Sequence, residues 1–286
     1  MKTMKVDQQE FDFLRELVYE SASIVIEPGQ EYLAEARLSS LAYAEGFSCV
    51  QMLLSSMRQV PSPRLHSQIV DAMTNNETCF YRDLEPFRAL RDTIIPELLV
   101  RNADHKQLTL WSAAASTGQE AFSVVMLFEE AFGGLPGWRT RMIATDVSCT
   151  ALARARAGTY NRMEIGRGLT PAQLEKHFRQ EGTEWRIAEN IRRQVEFFQL
   201  NLFDPWVNIP KCDIIFLRNV LIYFDVEKKR LLLAKIADVL KPSGYLLLGS
   251  AETTFGLDQS FERVPMGAAS FYRQANCPRT GSANSG

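Results

Sequence analysis

Through the first 72 residues the apolar positions recur at helical spacing, and from about residue 107 short apolar runs alternate with helical stripes. Phe11, Leu14, Leu17 and Val18 make one stripe behind Asp7 and Glu10, which are spaced as a capping box. A second helix is predicted over 31–45, with Ala34, Leu38, Leu41 and Ala42 on one face and Gly46 just past its end. Ser48 is placed to cap a third helix carrying Val50, Leu53, Leu54 and Met57. Ser62-Pro63 supplies a cap and a first-turn proline for a fourth, bearing Leu65, Ile69, Ala72 and Met73. Together these predict a small helical domain over 1–72, followed by a linker over 73–90.

The later pattern reads as strand 107–113, helix 118–132, strand 141–145, helix 149–157, strand 212–217, helix 226–240, strand 244–249 and a last edge strand 268–273. Strands alternating with helices mark a mainly parallel sheet covered on both faces, so an α/β domain is predicted over 91–275. A polar stretch interrupts it, with a helix signal at Thr170-Pro171 and a short run Trp185-Arg186-Ile187, and reads as an insertion over 158–194. A strand over 194–199 rejoins the sheet. The tail from Asn276, rich in Ser, Gly and Asn, reads as disordered.

Composition narrows the function. The chain has 286 residues, 46% hydrophobic and 23% charged, and no apolar run approaches the roughly 18 residues that a membrane span needs. Its first residues lead into a charged amphipathic stretch, which predicts a cytoplasmic protein with no membrane insertion. Five cysteines (Cys49, Cys79, Cys149, Cys212, Cys277) without CxxC spacing read as free thiols, and no metal is expected. His66, His105 and His177 are far apart and read as surface or helix-end residues, not as a hydrolase centre or zinc site. With a net charge of −2 and scattered Lys and Arg there is no footprint for nucleic acid.

The candidate chemistry begins at Trp111-Ser112-Ala113-Ala114-Ala115-Ser116-Thr117-Gly118-Gln119-Glu120, where an apolar strand breaks into small residues and a helix starts. Small side chains let backbone amides approach a ligand, and a helix N-terminus favours negative charge. Only Gly118 is a glycine there, so the G-x-G-x-x-G cradle of dinucleotide enzymes is not encoded. Asp146 ends the next strand, where a carboxylate can accept both ribose hydroxyls or, alternatively, cap the following helix. Arg218-Asn219 follows a third strand at the same carboxyl edge, where open α/β sheets bind ligands.

Four stretches then carry a family resemblance: Met73-Thr74-Asn75-Asn76-Glu77-Thr78-Cys79-Phe80-Tyr81-Arg82-Asp83, residues 111–123, Asn201-Leu202-Phe203-Asp204, and Arg218-Asn219-Val220-Leu221-Ile222-Tyr223-Phe224-Asp225. In order and content, over about 7–273, the chain resembles the chemotaxis receptor methyltransferases, the CheR family. The resemblance implies a Rossmann-like S-adenosylmethionine methyltransferase domain with a small inserted β-subdomain, preceded by the helical domain. It implies transfer of a methyl group to glutamate side chains on the cytoplasmic helical region of chemoreceptors, with S-adenosylhomocysteine as product. Carried over by motif, Asn76, Thr78 and Arg82 contact the cofactor, Glu120 its amino group, Asp146 its ribose, and Asn201, Leu202, Arg218 and Asn219 its adenosine side. The resemblance also points to Arg82 and Tyr223 beside the reacting centre. For Arg82 the alternative is a linker residue paired with Asp83 or Glu85, and for Tyr223 a core aromatic.

The sequence departs from the family's Glu-Glu-Pro-Tyr run with Gln119-Glu120-Ala121-Phe122, and Ala115 stands where many relatives have cysteine. The helical domain is less basic than the family pattern, leaving Arg37, Arg58 and Arg64 as candidate receptor contacts beside their alternative as solvated faces. The loop over 179–185 is short compared with members that grip a receptor tail peptide, so tail independence is expected. A monomer, with a regulator on the helical domain, completes the expectation.

Overall fold

The computed structural model describes residues 5–267 and 269–275, and the expected disorder from Asn276, like Cys277, lies outside them. Helices α1 (Gln8–Ala22), α2 (Glu31–Ala44), α3 (Val50–Gln59) and α4 (Pro63–Met73) close around a core that includes Phe11, Leu14, Val18, Leu38, Leu53, Leu54 and Ile69. Asp7 accepts the Glu10 N–H at 2.9 Å and Ser62 accepts the Leu65 N–H at 3.4 Å, as the cap signals predict. The capping box is only half formed. Gln51 takes the Asp7 N–H at 2.9 Å, and buried Glu10 accepts instead from the Ser55 hydroxyl and the Arg58 guanidinium. A buried carboxylate loses more without a cation than a helix end loses without one reciprocal bond. Cys49, not Ser48, occupies the cap of α3, and the Ser48 hydroxyl meets the Met52 sulfur at 3.0 Å.

Helix α5 (Leu84–Ala89), a π-turn (Leu90–Ile94) and α6 (Ile95–Arg101) follow in one run that the apolar pattern left unassigned. Pro96 interrupts its stripe of Phe87, Leu90, Ile94, Ile95 and Leu98, and the wider π-turn absorbs the break without ending the helix.

The α/β layer contains β1 (Gln107–Ser112), α7 (Gln119–Phe132), β2 (Arg139–Asp146) and α8 (Cys149–Ala157). The inserted segment comprises β3 (Thr159–Asn161), α9 (Arg162–Ile165), α10 (Pro171–His177), β4 (Phe178–Glu181), β5 (Glu184–Ile187) and α11 (Glu189–Arg192). Then come β6 (Val195–Gln199), β7 (Cys212–Leu217), a 3-10 helix (Leu221–Tyr223), α12 (Val226–Val239), β8 (Leu240–Leu248), β9 (Phe261–Met266) and β10 (Ala269–Gln274). The seven-stranded sheet has the order β6-β2-β1-β7-β8-β10-β9, parallel except for β10 and β9, while β3-β5-β4 form a separate antiparallel sheet. The fold class is the Rossmann-like one expected.

Two details differ. The strand expected at the edge, β10, lies inside the sheet, and the edge belongs to β9, whose Glu262, Arg263 and Pro265 hid it from the apolar pattern. Proline is tolerated at an edge because no ladder donor is needed there. His177 ends α10 but is buried, and its Nε2 lies 2.8 Å from Glu130, tying the insertion to α7. Among the described residues no helix is long and apolar enough to cross a membrane, and the four cysteines are free.

Candidate active site

From β1 the chain steps outward through β2 and β6, then returns to place β7 on the other side of β1. That reversal gathers the carboxyl ends of β1, β2 and β7 at one switch point, where a cleft opens. All ten cofactor-site and reacting-centre candidates line it: Asn76, Thr78, Arg82, Glu120, Asp146, Asn201, Leu202, Arg218, Asn219 and Tyr223. The cleft is open to solvent, and with its mouth it spans about 1080 Å³.

Its floor is the turn after β1. Ser116 adopts a left-handed φ of 49°, and its N–H donates to Asp146 Oδ2 at 2.7 Å while its hydroxyl donates to the Asn76 carbonyl at 2.7 Å. Gly118 follows at φ 92°, where an added Cβ would lie 3.1 Å from both Ala155 and Phe122. The turn needs glycine for conformation and for space. Asp146 does not cap α8; Ser148 does, and the other Asp146 oxygen accepts the Ser148 N–H at 2.9 Å. Burial pushes the Asp146 carboxyl up, partly opposed by the N–H groups of Ser148 and Ser116. Each oxygen keeps a lone pair for a further hydroxyl donor.

One wall is charged. Glu120 Oε1 accepts the Ser112 hydroxyl at 2.7 Å and Oε2 accepts from Arg218 at 3.0 Å. The same guanidinium, with a side chain only 3% exposed, also donates to Asp83 Oδ2 at 2.9 Å and to the Arg82 carbonyl at 2.8 Å. Expected on the adenosine side, the Arg218 side chain therefore sits on Glu120 and the linker. Two carboxylates around one guanidinium leave one net negative charge, which an ammonium group would balance. Gln119, neutral and buried, accepts the Thr117 hydroxyl at 2.7 Å, so Glu120 is the single anion of that first turn.

The opposite wall is apolar, with Ala22, Ile24, Val147, Leu200 and Leu202. Ala22 ends α1 and Ile24 follows its cap, and neither was legible as a site residue, because nothing in a helical stripe says that its end overhangs a cleft residue 180 positions away. Asn201 fixes that overhang: its Nδ2 donates to the Ser21 carbonyl at 2.7 Å and its Oδ1 accepts the Phe203 N–H at 3.0 Å. The amide expected on the adenosine side is thus engaged within the chain.

Over the top runs the linker. Phe80 is fully buried and packs edge-on against Tyr160 and Phe178, with ring centres 5.0 and 5.4 Å away. Tyr81 (φ 46°) and Asp83 (φ 58°) are both left-handed, each at a cost of about 1 kcal/mol for a residue with a Cβ. The strain flanks Arg82, and the Arg218 bonds hold it. Asp83 meets Arg218, Glu85 meets Arg88, and among the described residues Arg82 itself reaches only the Glu77 carbonyl at 3.3 Å; the alternative pairings for Arg82 do not form. Tyr223 is half-buried: its ring packs against the core that includes Leu221 and Phe224, and its hydroxyl accepts from Asn75 Nδ2 at 2.7 Å.

The comparisons agree with this architecture. Residues 76–269 match the family model described as CheR methyltransferase, SAM binding domain. Chemotaxis protein methyltransferase Cher2 of Pseudomonas putida is 35% identical over 274 residues, covering 94% of this chain and 99% of that one. Chemotaxis protein methyltransferase 1 of Pseudomonas aeruginosa is 36% identical over 274 residues with the same coverage. The chain belongs to the CheR family, and it is an S-adenosylmethionine-dependent protein methyltransferase of that type.

Proposed function

We propose that this enzyme esterifies glutamate side chains on the cytoplasmic helices of chemoreceptors, acting as a cytoplasmic monomer. The observation that carries the choice of acceptor is Arg82, a cation lining the cleft that has no carboxylate partner among the described residues. An anionic acceptor completes that arrangement, whereas a protonated amine would be repelled by it. When bound, S-adenosylmethionine supplies an electrophilic methyl group on sulfur and leaves as S-adenosylhomocysteine. Glu120 suits the ammonium of its methionine part, Asp146 the ribose hydroxyls, and the apolar wall the adenine, with Asn76, Thr78, Leu202 and Asn219 around them.

A glutamate is already ionised near neutral pH, so no general base is required. Arg82 aligns the carboxylate, and Tyr223 and Asn75 border the approach. Residues 1–72 act as a helical domain that closes the adenine end and offers a regulator its surface, 73–90 as the linker carrying Arg82, and 91–275 as the methyltransferase domain with its insertion over 158–194. The candidate basic contacts are taken up inside the chain: Arg58 by Glu10, Arg64 by Glu45 and Arg37 by the Met73 carbonyl. Arg58 and Arg64 stay 37% and 65% exposed, so these surface pairs leave both open to a receptor that also meets the cleft mouth.

Strands β4 and β5 are joined by the two-residue turn Gly182-Thr183, too short to wrap a peptide. An isolated receptor C-terminal peptide is expected to give no saturable heat of binding in calorimetry, and tight saturable binding would refute tail independence. Esterification itself is tested by the alkali lability of the methyl group placed on a receptor fragment, since an ester releases methanol and an N-methyl product does not.

A further inference from the structure

We infer that Glu252 is a positioning residue for this reaction, holding Asn219 and Tyr223 at the cleft; the inference rests on the reading of Tyr223 as bordering the reacting centre. Glu252 lies just past β8 and is 6% exposed. Its Oε2 accepts the N–H groups of Asn219 and Gly249, both at 2.7 Å, and its Oε1 accepts the Leu221 N–H at 2.8 Å. Among the described residues no cationic side chain pairs with it. Three backbone donors from two different turns hold the charge.

Those donors belong to the segment that carries the site. Asn219 is left-handed at φ 57°, a conformation that needs outside support in a residue with a Cβ. Leu221 opens the 3-10 helix that ends at Tyr223, and an anion at its first N–H fixes where that helix starts. From the far end the Tyr223 hydroxyl meets Asn75 at 2.7 Å and its carbonyl accepts the Val25 N–H at 2.8 Å. The carboxylate is thus the inner anchor of a strap whose outer end is Tyr223. Gly249 makes room for it: an added Cβ would lie 2.7 Å from Glu252 Oε2 and 2.8 Å from Asn219 Nδ2.

Both Glu252 oxygens accept, so an amide cannot replace the carboxylate. In Glu252→Gln the NH2 group must face at least one backbone N–H, whichever way it is turned. The test uses the full chain, at a temperature where circular dichroism shows it folded, with a receptor cytoplasmic fragment as acceptor. Calorimetry with S-adenosylhomocysteine is expected to keep one site per chain while Kd rises severalfold, and kcat per site to fall at least about tenfold. In a double-mutant cycle with Tyr223→Phe the two losses are expected to be less than additive, as for groups that act through one another.

Full stoichiometry with kcat and Kd within about twofold of wild type would overturn the inference, as would fully additive losses in kcat. If Glu252→Gln does not fold, Gly249→Ala decides, because it displaces the carboxylate without removing it. It is expected to shift kcat and Kd in the same directions, and wild-type values would refute the role. A Tyr223→Phe enzyme with wild-type turnover would refute the underlying reading of Tyr223, and Glu252 would then stand or fall on Kd alone, through Asn219.

Discussion

Arg82→Ala is expected to lower kcat/KM for a receptor fragment by at least about 10²-fold, through the loss of a charge-assisted bond and of the alignment it gives the acceptor. The fold should hardly notice. The guanidinium makes one long bond, 3.3 Å to the Glu77 carbonyl, and the Arg82 backbone that Arg218 grips remains in place. Arg82→Lys should recover only part of the rate, since an ammonium keeps the charge but not the planar fork. Turnover of Arg82→Ala near that of wild type, in steady-state assays with labelled cofactor, would remove Arg82 from the reacting centre.

Asp146→Ala is expected to raise the Kd for S-adenosylhomocysteine by about 10²-fold, the scale of two hydroxyl bonds to a charged acceptor less what water recovers. The substitution also frees the Ser116 N–H, which Asp146 holds at 2.7 Å, so the turn that links β1 to the Asn76 carbonyl loses its anchor. Both effects act on the same ligand. A Kd within about threefold of wild type in calorimetry would place the ribose elsewhere.

The α/β architecture was legible because its strands are buried on both faces and therefore appear as apolar runs, as over Ile214–Leu217 in a strand whose one charged residue, Asp213, is also buried. The same rule explains the strand that was not: β9 sits at the edge, half exposed, with Glu262, Arg263 and Pro265 among its six residues. The run through α5 and α6 escaped for a different reason, since Pro96 is locally a stop signal and only the π-turn before it shows that the chain continues.

At the site, motifs could say which residues gather but not which way they point. All ten candidates line one cleft. Yet the Arg218 guanidinium turns to Glu120 and Asp83, and the Asn201 amide to Ser21 and Phe203, because a buried cation and a half-buried amide satisfy their nearest partners first. Glu252 left no sign in a single sequence: a glutamate in a polar turn reads as exposed until the turns of β7 and β8 are brought together. Gly249, three residues before it and just past a buried strand, marks a close approach but not what approaches.

The central claim is that the transferred methyl group ends on a glutamate carboxylate. Labelled S-adenosylmethionine, incubated with the enzyme and a receptor cytoplasmic fragment, tests it directly when the purified fragment is treated with mild alkali. Volatile labelled methanol, with the modified peptide carrying its ester on glutamate, is the result expected. Label that survives alkali and maps to an amino group would contradict it.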